Sequence, residues 1–216
     1  MAPRDFRTRL ARRSAKVGLF LPDELSDRLV AYHELLQKWN RKINLTAIDD
    51  PDEAVDRLLL EPVLAARHVA GSAKRLLDVG SGGGSPAIPL ALTLPSLTLT
   101  MVEVKIRKSA FLREAIRQLG LARATVETAR YEELLARPEL HEAFDVLSLR
   151  AVRVETSALV TLQAFLSPDG QLLLFRGPSG PQIPSAVVPP LEWRATLPLI
   201  ESLQSRVTIL TKRRLG

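Results

Sequence analysis

The residues that could do chemistry are concentrated in one segment, Leu76-Leu77-Asp78-Val79-Gly80-Ser81-Gly82-Gly83-Gly84-Ser85-Pro86. A short apolar run reads as a strand, and glycine then occupies positions 80, 82, 83 and 84. Glycine permits positive φ and lets backbone approach a ligand closely, at an entropic cost that a plain connector has no reason to bear. Ser85 is the expected N-cap of the helix that follows, with Pro86 at its first position. A strand that turns through glycines into a helix offers free backbone N–H groups at the carboxyl end of a parallel strand, where open α/β sheets bind cofactors.

The spacing narrows the ligand. A dinucleotide turn, G-x-G-x-x-G, needs glycine at 85, where Ser85 stands, whereas G-x-G-x-G fits at 80, 82 and 84. With Asp78 ahead of the turn, the pattern is of the S-adenosylmethionine kind. Glu103 lies 23 residues after Gly80, at the end of the next predicted strand, where an acid can accept both ribose hydroxyls. No G-x-x-x-x-G-K-[ST] is present. A serine elbow at Ser85 fails because the next residue, Pro86, has no N–H for an oxyanion. His33, His68 and His141 are scattered without an H-E-x-x-H pattern, so no metal is expected and each is read as a surface or satisfied core histidine. Three other readings stay open on the residues alone: an NAD(P) oxidoreductase, a small-molecule methyltransferase, and a non-enzymatic RNA-binding protein.

These residues need elements to position them. Residues 5–70 read as helical, with Leu25, Leu29, Tyr32, Leu36 and Trp39 on one amphipathic face that starts at Pro22-Asp23 and ends near Asn40. Asp49-Asp50-Pro51 opens further helical material through His68. From Lys74 the pattern changes to alternating strands and helices. Strands are predicted at 75–79, 97–103, 124–127, 144–149 and 171–176. Helices are predicted at 86–94, 106–119, 131–136 and 155–165. The 106–119 helix has Ala110, Phe111, Ala115 and Leu119 on its apolar face and Gly120 as its cap. Pro168-Asp169-Gly170 reads as a turn, 177–190 as a loop, and 191–197 and 206–211 as two final strands. The alternation implies a parallel sheet covered on both faces, with an N-terminal helical extension over 1–72 and the cofactor domain over 73–216.

Composition bounds the rest. The 216 residues are 46% hydrophobic and 25% charged, enough for a real core, and contain no cysteine, which excludes disulfides, thiol nucleophiles and cysteine metal sites. The net charge of +6 sits at the ends: residues 1–20 carry +5, the last eleven +4, and the middle −3. Those basic ends are expected either to hold RNA electrostatically or to be solvated tails. No stretch reaches the length of a membrane span, and the Arg-rich start lacks a signal-peptide core, so a cytoplasmic protein is expected; a monomer is expected as well.

Adding residues 37–46 identifies a family. Gln37-Lys38-Trp39-Asn40-Arg41-Lys42-Ile43-Asn44-Leu45-Thr46 resembles the W-N-x-K-x-N-L-T signature of the bacterial 16S ribosomal RNA guanine-N7 methyltransferases, the glucose-inhibited division protein B family. The segments 78–89, 108–121, 144–151 and 206–212 are similar to its glycine motif, its K-R-x-x-F-L helix, its S-R-A strand and its closing strand. The resemblance implies a Rossmann-like methyltransferase sheet, mostly parallel with an antiparallel last strand. It also implies S-adenosylmethionine as cofactor, and methylation of N7 of a guanine in the 530 loop, on 16S rRNA or the 30S subunit. Carried over by position, Gly80, Gly82 and Ser85 line the cofactor turn, Glu103 takes the ribose, and Tyr131 and Glu132 flank the adenine. Arg150 meets the methionine carboxylate or the target nucleotide, with pairing to a nearby acid as its alternative role. Asn44 contacts the guanine or bonds local backbone, while Trp39 is read as core. Arg41, Lys42, Lys105, Arg107 and Lys108 are the phosphate-contact candidates. The chain departs from the pattern at Ser85, Ala87, Leu149 and Arg153, and where R-H-x-x-D-S reads Arg57-Leu58-Leu59-Leu60-Glu61-Pro62. A methyltransferase with another RNA target is the alternative these departures leave open.

Overall fold

The computed structural model describes residues 3–150, 154–178 and 187–214. Ala151, Arg153 and most of the 177–190 loop lie outside the described residues. Seven strands form one sheet: β1 (Arg75–Val79), β2 (Thr98–Val102), β3 (Ala124–Glu127), β4 (Phe144–Arg150), β5 (Leu166–Arg176), β6 (Leu191–Pro198) and β7 (Arg206–Lys212). Their order is β3-β2-β1-β4-β5-β7-β6. The first five are parallel, and β7 is antiparallel to both β5 and β6. The expected mostly parallel sheet with an antiparallel last strand is therefore present.

Alternation along the strands supplies two cores. Leu76, Leu99, Met101 and Val146 face the helices α1 (Pro3–Lys16), α2 (Asp23–Asn40), α3 (Pro51–Ala54), α4 (Glu61–Ala66), α5 (Ala87–Thr93) and α6 (Ile106–Gln118). Leu77, Val79, Leu147 and Leu149 face α7 (Thr156–Phe165) and the 3-10 turns at 131–136 and 138–140. One continuous cluster runs from Phe6 in α1 to Ile209 in β7, so the extension and the sheet share a core.

Four expectations change. The basic start is neither a tail nor a free arm. Phe6, Leu10 and Leu19 are buried, and Arg7 pairs with Asp23 and Asp27, Arg9 and Arg12 with Asp52, and Arg13 with Asp52 and Asp56. One base of the C-terminal end is likewise used internally: Lys212 is buried, its Nζ bonded to Glu142 and to the carbonyls of Gln163 and Leu166. Arg213 and Arg214 beyond it stay exposed, in surface pairs with Glu192 and Asp169. Ala110 is exposed; Ser109 takes the inward place in α6 and donates to the Glu103 carbonyl at 3.0 Å. Pro168-Asp169-Gly170 lies within β5 as an irregularity, because the pairing with β4 shifts there rather than ending.

The helical stretch from Pro51 to Ala66 contains a π turn, Val55–Leu60. Pro62 follows it, and a proline has no N–H to offer the carbonyl four residues back, that of Leu58. The hydroxyl of Ser85 donates to Leu58 O instead, at 2.9 Å.

Candidate active site at the glycine turn

The turn leaves β1 between the ends of β2 and β4. The N–H groups of Gly80 and Ser81 donate to Val102 O at 2.9 and 3.0 Å, and Gly84 N–H donates to Ser81 O at 2.6 Å. Its glycines serve different ends. A Cβ on Gly84, where φ is +86°, would lie 2.6 Å from Ile88 Cδ1, and one on Gly83 would lie 3.1 Å from Leu36 Cδ1. These two positions admit the neighbouring helices. A Cβ on Gly82, φ +52°, would meet nothing closer than 3.7 Å. That position opens outward.

The N-terminal extension holds the turn from the other side. Tyr32 in α2 donates its hydroxyl to Gly83 O at 2.6 Å. Asn40, at the end of α2, accepts from the N–H groups of Leu45 and Thr46 and donates to Thr46 O. That folds 41–46 back so that Leu45 and Thr46 line a cavity of about 270 Å³ together with Gly80, Gly82, Ser85 and Arg150. Sequence reasoning weighed Asn44 for the turn-forming role, but Asn40 performs it; Asn44 is exposed beside the cavity's lining residues. Ser85 is no N-cap, since α5 begins at Ala87 behind Pro86 and the serine hydroxyl is committed to Leu58.

Three ionisable groups lie around the turn, of which Arg150 lines the cavity and Asp78 and Glu103 are buried behind it. Asp78 is buried, accepting from the Ser148 hydroxyl at 2.5 Å through Oδ1, while Oδ2 has no partner among the described residues. Burial pushes its carboxyl up to about 6, against the lowering effect of Ser148, Ser81 and Arg150. Arg150 donates from Nη1 to Glu61 Oε2 at 2.6 Å and lies over the Phe175 ring, 4.7 Å from its centroid. Its pairing with an acid is thus realised, yet it also lines the cavity, and its Nε and Nη2 have no acceptor among the described residues. Glu103 is buried and accepts from Gly82 N–H at 2.9 Å and Lys105 N–H at 2.8 Å, tying the turn to the end of β2. Each carboxylate oxygen keeps a further lone pair for an incoming donor.

Tyr131 and Glu132 open the 3-10 turn after β3, the next strand end along the rim, where Glu103 N–H bonds Glu127 O at 3.0 Å. Burial, then the Glu132 charge, push the Tyr131 phenol up. Trp39 packs edge-on against Phe111 with ring centroids 5.9 Å apart, the core role expected for it. A second cavity, about 390 Å³, lies between α1 and α2 and is lined by Phe6, His33 and Gln37 among others. His33 is stacked on Phe6 at 3.7 Å, and burial lowers its pKa to about 4, so it is the satisfied core histidine expected. Tyr32, Asn40 and Glu61 were not singled out as site residues from sequence, and Asp78 entered only as the acid of the turn motif. The available signal was an acid, Glu61, set in the apolar run Leu58-Leu59-Leu60-Glu61-Pro62-Val63-Leu64.

The arrangement can take a zwitterionic amino-acid end: a guanidinium edge for a carboxylate, a buried carboxylate for an ammonium, and an open position at Gly82. Sheet order, antiparallel β7 and a glycine turn at the end of β1 define the class, a Rossmann-like S-adenosylmethionine-dependent methyltransferase. Solved structures of similar fold include a SAM-dependent methyltransferase from Aquifex aeolicus (TM-score 0.57, 15% identity, covering 77% of this chain and 95% of that one). Another is a mutant of MtNAS in complex with S-adenosylmethionine (TM-score 0.56, 12% identity, covering 88% and 77%). By sequence, the model of the family described as rRNA small subunit methyltransferase G matches residues 25–183. Ribosomal RNA small subunit methyltransferase G of Xylella fastidiosa is 43% identical over 164 residues, 75% of this chain and 73% of that protein. The protein of the same name from Cupriavidus pinatubonensis is 39% identical over 181 residues, 79% of this chain and 75% of that one. The chain belongs to the rRNA small subunit methyltransferase G family.

Proposed function

We propose that the protein methylates N7 of a guanine in the 530 loop of 16S rRNA, using S-adenosylmethionine. The observation that carries this reading is the family match over residues 25–183, which spans both the N-terminal signature and the glycine turn. When bound, the cofactor supplies an electrophilic methyl group. Guanine N7 holds a lone pair and no proton, so the protein needs no general base; its work is to hold two partners in line. In this reading Arg150 takes the methionine carboxylate, Asp78 faces the ammonium, Gly80, Gly82 and Ser85 shape the turn, and Glu103 accepts the ribose hydroxyls. Tyr131 and Glu132 flank the adenine, and Asn44 reaches the guanine from the mouth of the cavity.

The RNA is held by the rim rather than by the chain ends. Arg28 Nη2 donates to Leu119 O at 3.0 Å, and Trp39 meets Phe111, so α2 and α6 run antiparallel. Arg41 and Lys42, just past the end of α2, therefore come beside Lys105, Arg107 and Lys108 at the start of α6. Among the described residues, none of these five side chains has an ion-pair partner. The position of a Cβ on Gly82 is 4.0 Å from Lys108 Nζ. Replacing Arg41, Lys42 and Arg107 by alanine is expected to lower the salt slope of RNA binding by about 0.7–0.9 for each phosphate no longer neutralised. Arg12→Ala is expected to leave the slope unchanged, because Arg12 faces Asp52. Filter binding across a salt series reads both; an unchanged slope in the triple variant would remove the rim from the interface.

Asp78 gives a pH signature. Its folded value, about 6, lies above the ordinary 3.8, so the stability due to its neutral form is full below 3.8 and is lost as pH rises through about 6. Asp78→Asn is therefore expected to raise the melting temperature of the free protein above that pH. An ammonium opposite Asp78 favours the carboxylate, so affinity for S-adenosylhomocysteine rises with pH to about 6 and levels off above it. Asp78→Asn flattens that rise, as calorimetry at a series of pH values would show. The activity itself is tested by nucleoside mass spectrometry of 16S rRNA from a deletion strain. Loss of one 7-methylguanosine supports the reading, whereas an unchanged content overturns it. Labelling of 30S subunits and free rRNA in parallel distinguishes the substrate form.

A further inference from the structure

We propose that Glu61 is a positioning residue: through its ion pair it fixes the plane of Arg150 so that the Nε/Nη2 edge of the guanidinium faces the cofactor's carboxylate. The proposal rests on the reading of Arg150 given above and goes beyond it. Guanidinium is planar, with five N–H donors in fixed directions. Two interactions suffice to set its orientation. One is the Nη1 to Glu61 Oε2 bond at 2.6 Å; the other is the Phe175 ring beneath Cζ at 4.7 Å. The donors left over are Nε and Nη2, both buried and both without an acceptor among the described residues. These two project from the same edge of the group, the edge that meets a carboxylate by two parallel hydrogen bonds. Had Glu61 taken that edge, the pair would be closed on itself. It takes the far nitrogen instead.

The local sequence explains how a carboxylate comes to stand there. Glu61 ends the π turn, its N–H bonding Asp56 O, five residues back. Its side chain is 2% exposed, and its Oε1 lies 4.0 Å from Arg57 Nη1. Arg57 is itself held by Glu53 at 2.5 Å, so a second cation screens Glu61 without competing for Arg150. A buried ion pair between two segments so far apart in sequence is weak evidence of stabilisation, since desolvation offsets much of the attraction. A specific orientation of one partner is a better account of it.

The test separates position from fold. S-Adenosylhomocysteine carries the methionine-derived carboxylate; methylthioadenosine shares the nucleoside and sulfur but lacks it. Dissociation constants for both are measured by calorimetry on the full chain, for the wild type, Glu61→Gln, Glu61→Asp and Arg150→Met. The expected result for Glu61→Gln is a loss of about tenfold for S-adenosylhomocysteine with methylthioadenosine unchanged. In turnover, KM for the cofactor should rise more than kcat falls. Glu61→Asp keeps the charge on a shorter arm and should show the same selective loss, which keeps the proposal testable if the glutamine variant does not fold. Added to Arg150→Met, Glu61→Gln should cost nothing further in the ratio of the two affinities. Equal losses for both ligands, or no loss, in the Glu61 variants would overturn the positioning role. An Arg150→Met protein that still discriminates the two ligands as the wild type does would instead overturn the carboxylate reading of Arg150, and the positioning role with it.

Discussion

Gly82→Asp is expected to abolish cofactor binding while the fold survives. The φ of +52° at Gly82 costs an L residue roughly 1–2 kcal/mol, and aspartate is among the residues that tolerate it best. No atom lies within 3.7 Å of the new Cβ, so the substitution meets no steric wall. What it adds is a carboxylate in the open space of the turn, next to Glu103, which already accepts the Gly82 N–H. The cofactor then meets bulk and negative charge where it needs backbone. A loss of at least a hundredfold in affinity for S-adenosylhomocysteine, about 2.7 kcal/mol, is the expected reading by calorimetry. Gly84→Ala is the control from the same motif. Its Cβ would sit 2.6 Å from Ile88 Cδ1 at φ +86°, so it should lower the melting temperature sharply. If Gly82→Asp kept its affinity within a few-fold, the turn would not be the cofactor's seat.

The second large effect concerns the first helix. Deleting residues 1–20 is expected to cripple the fold rather than to tune RNA binding. The deletion removes Phe6, Leu10 and Leu19, all buried, each contributing about 1.5–3 kcal/mol. It also removes Arg13 from Asp56, which is fully buried, and an uncompensated buried charge costs about 3–5 kcal/mol. Whole domains are stable by about 5–15 kcal/mol, so the truncated chain should melt far lower or fail to accumulate in soluble form. A truncated protein with an unchanged melt and a reduced salt slope would return this segment to the role of an RNA-binding arm.

Those two cases show what a sequence discloses and what it hides. The glycine turn was legible because strand, glycines and helix are contiguous and each constrains backbone locally. Helix α2 was legible because Leu25, Leu29, Tyr32, Leu36 and Trp39 repeat at helical spacing, and four of the first five strands were placed within a residue or two of their observed bounds. The docking of α1 was not legible. Arg9, Arg12 and Arg13 read as a charge run because their acceptors, Asp52 and Asp56, are about forty residues further on. Glu61 and Arg150 are 89 residues apart and meet only because α4 crosses the end of β4. Asn40 and Asn44 differ in nothing a sequence displays; reach to the Leu45 and Thr46 N–H groups decides between them. Pro168-Asp169-Gly170 has turn composition, yet β4 keeps pairing past it, a tertiary preference that overrides the local one.

The extension bonds the glycine turn at two places, Tyr32 on Gly83 O and Leu58 O on Ser85, and its Glu61 holds Arg150 at the end of the neighbouring β4. These contacts bear on modularity. A catalytic domain lifted out at residue 73 would carry the glycines but lose the hydroxyl, the carbonyl and the carboxylate that shape them. Grafting the extension onto another methyltransferase would fail for the mirror reason. The glycine turn therefore takes its shape from both halves of this chain, and substitutions in the extension have to leave that inner face fixed.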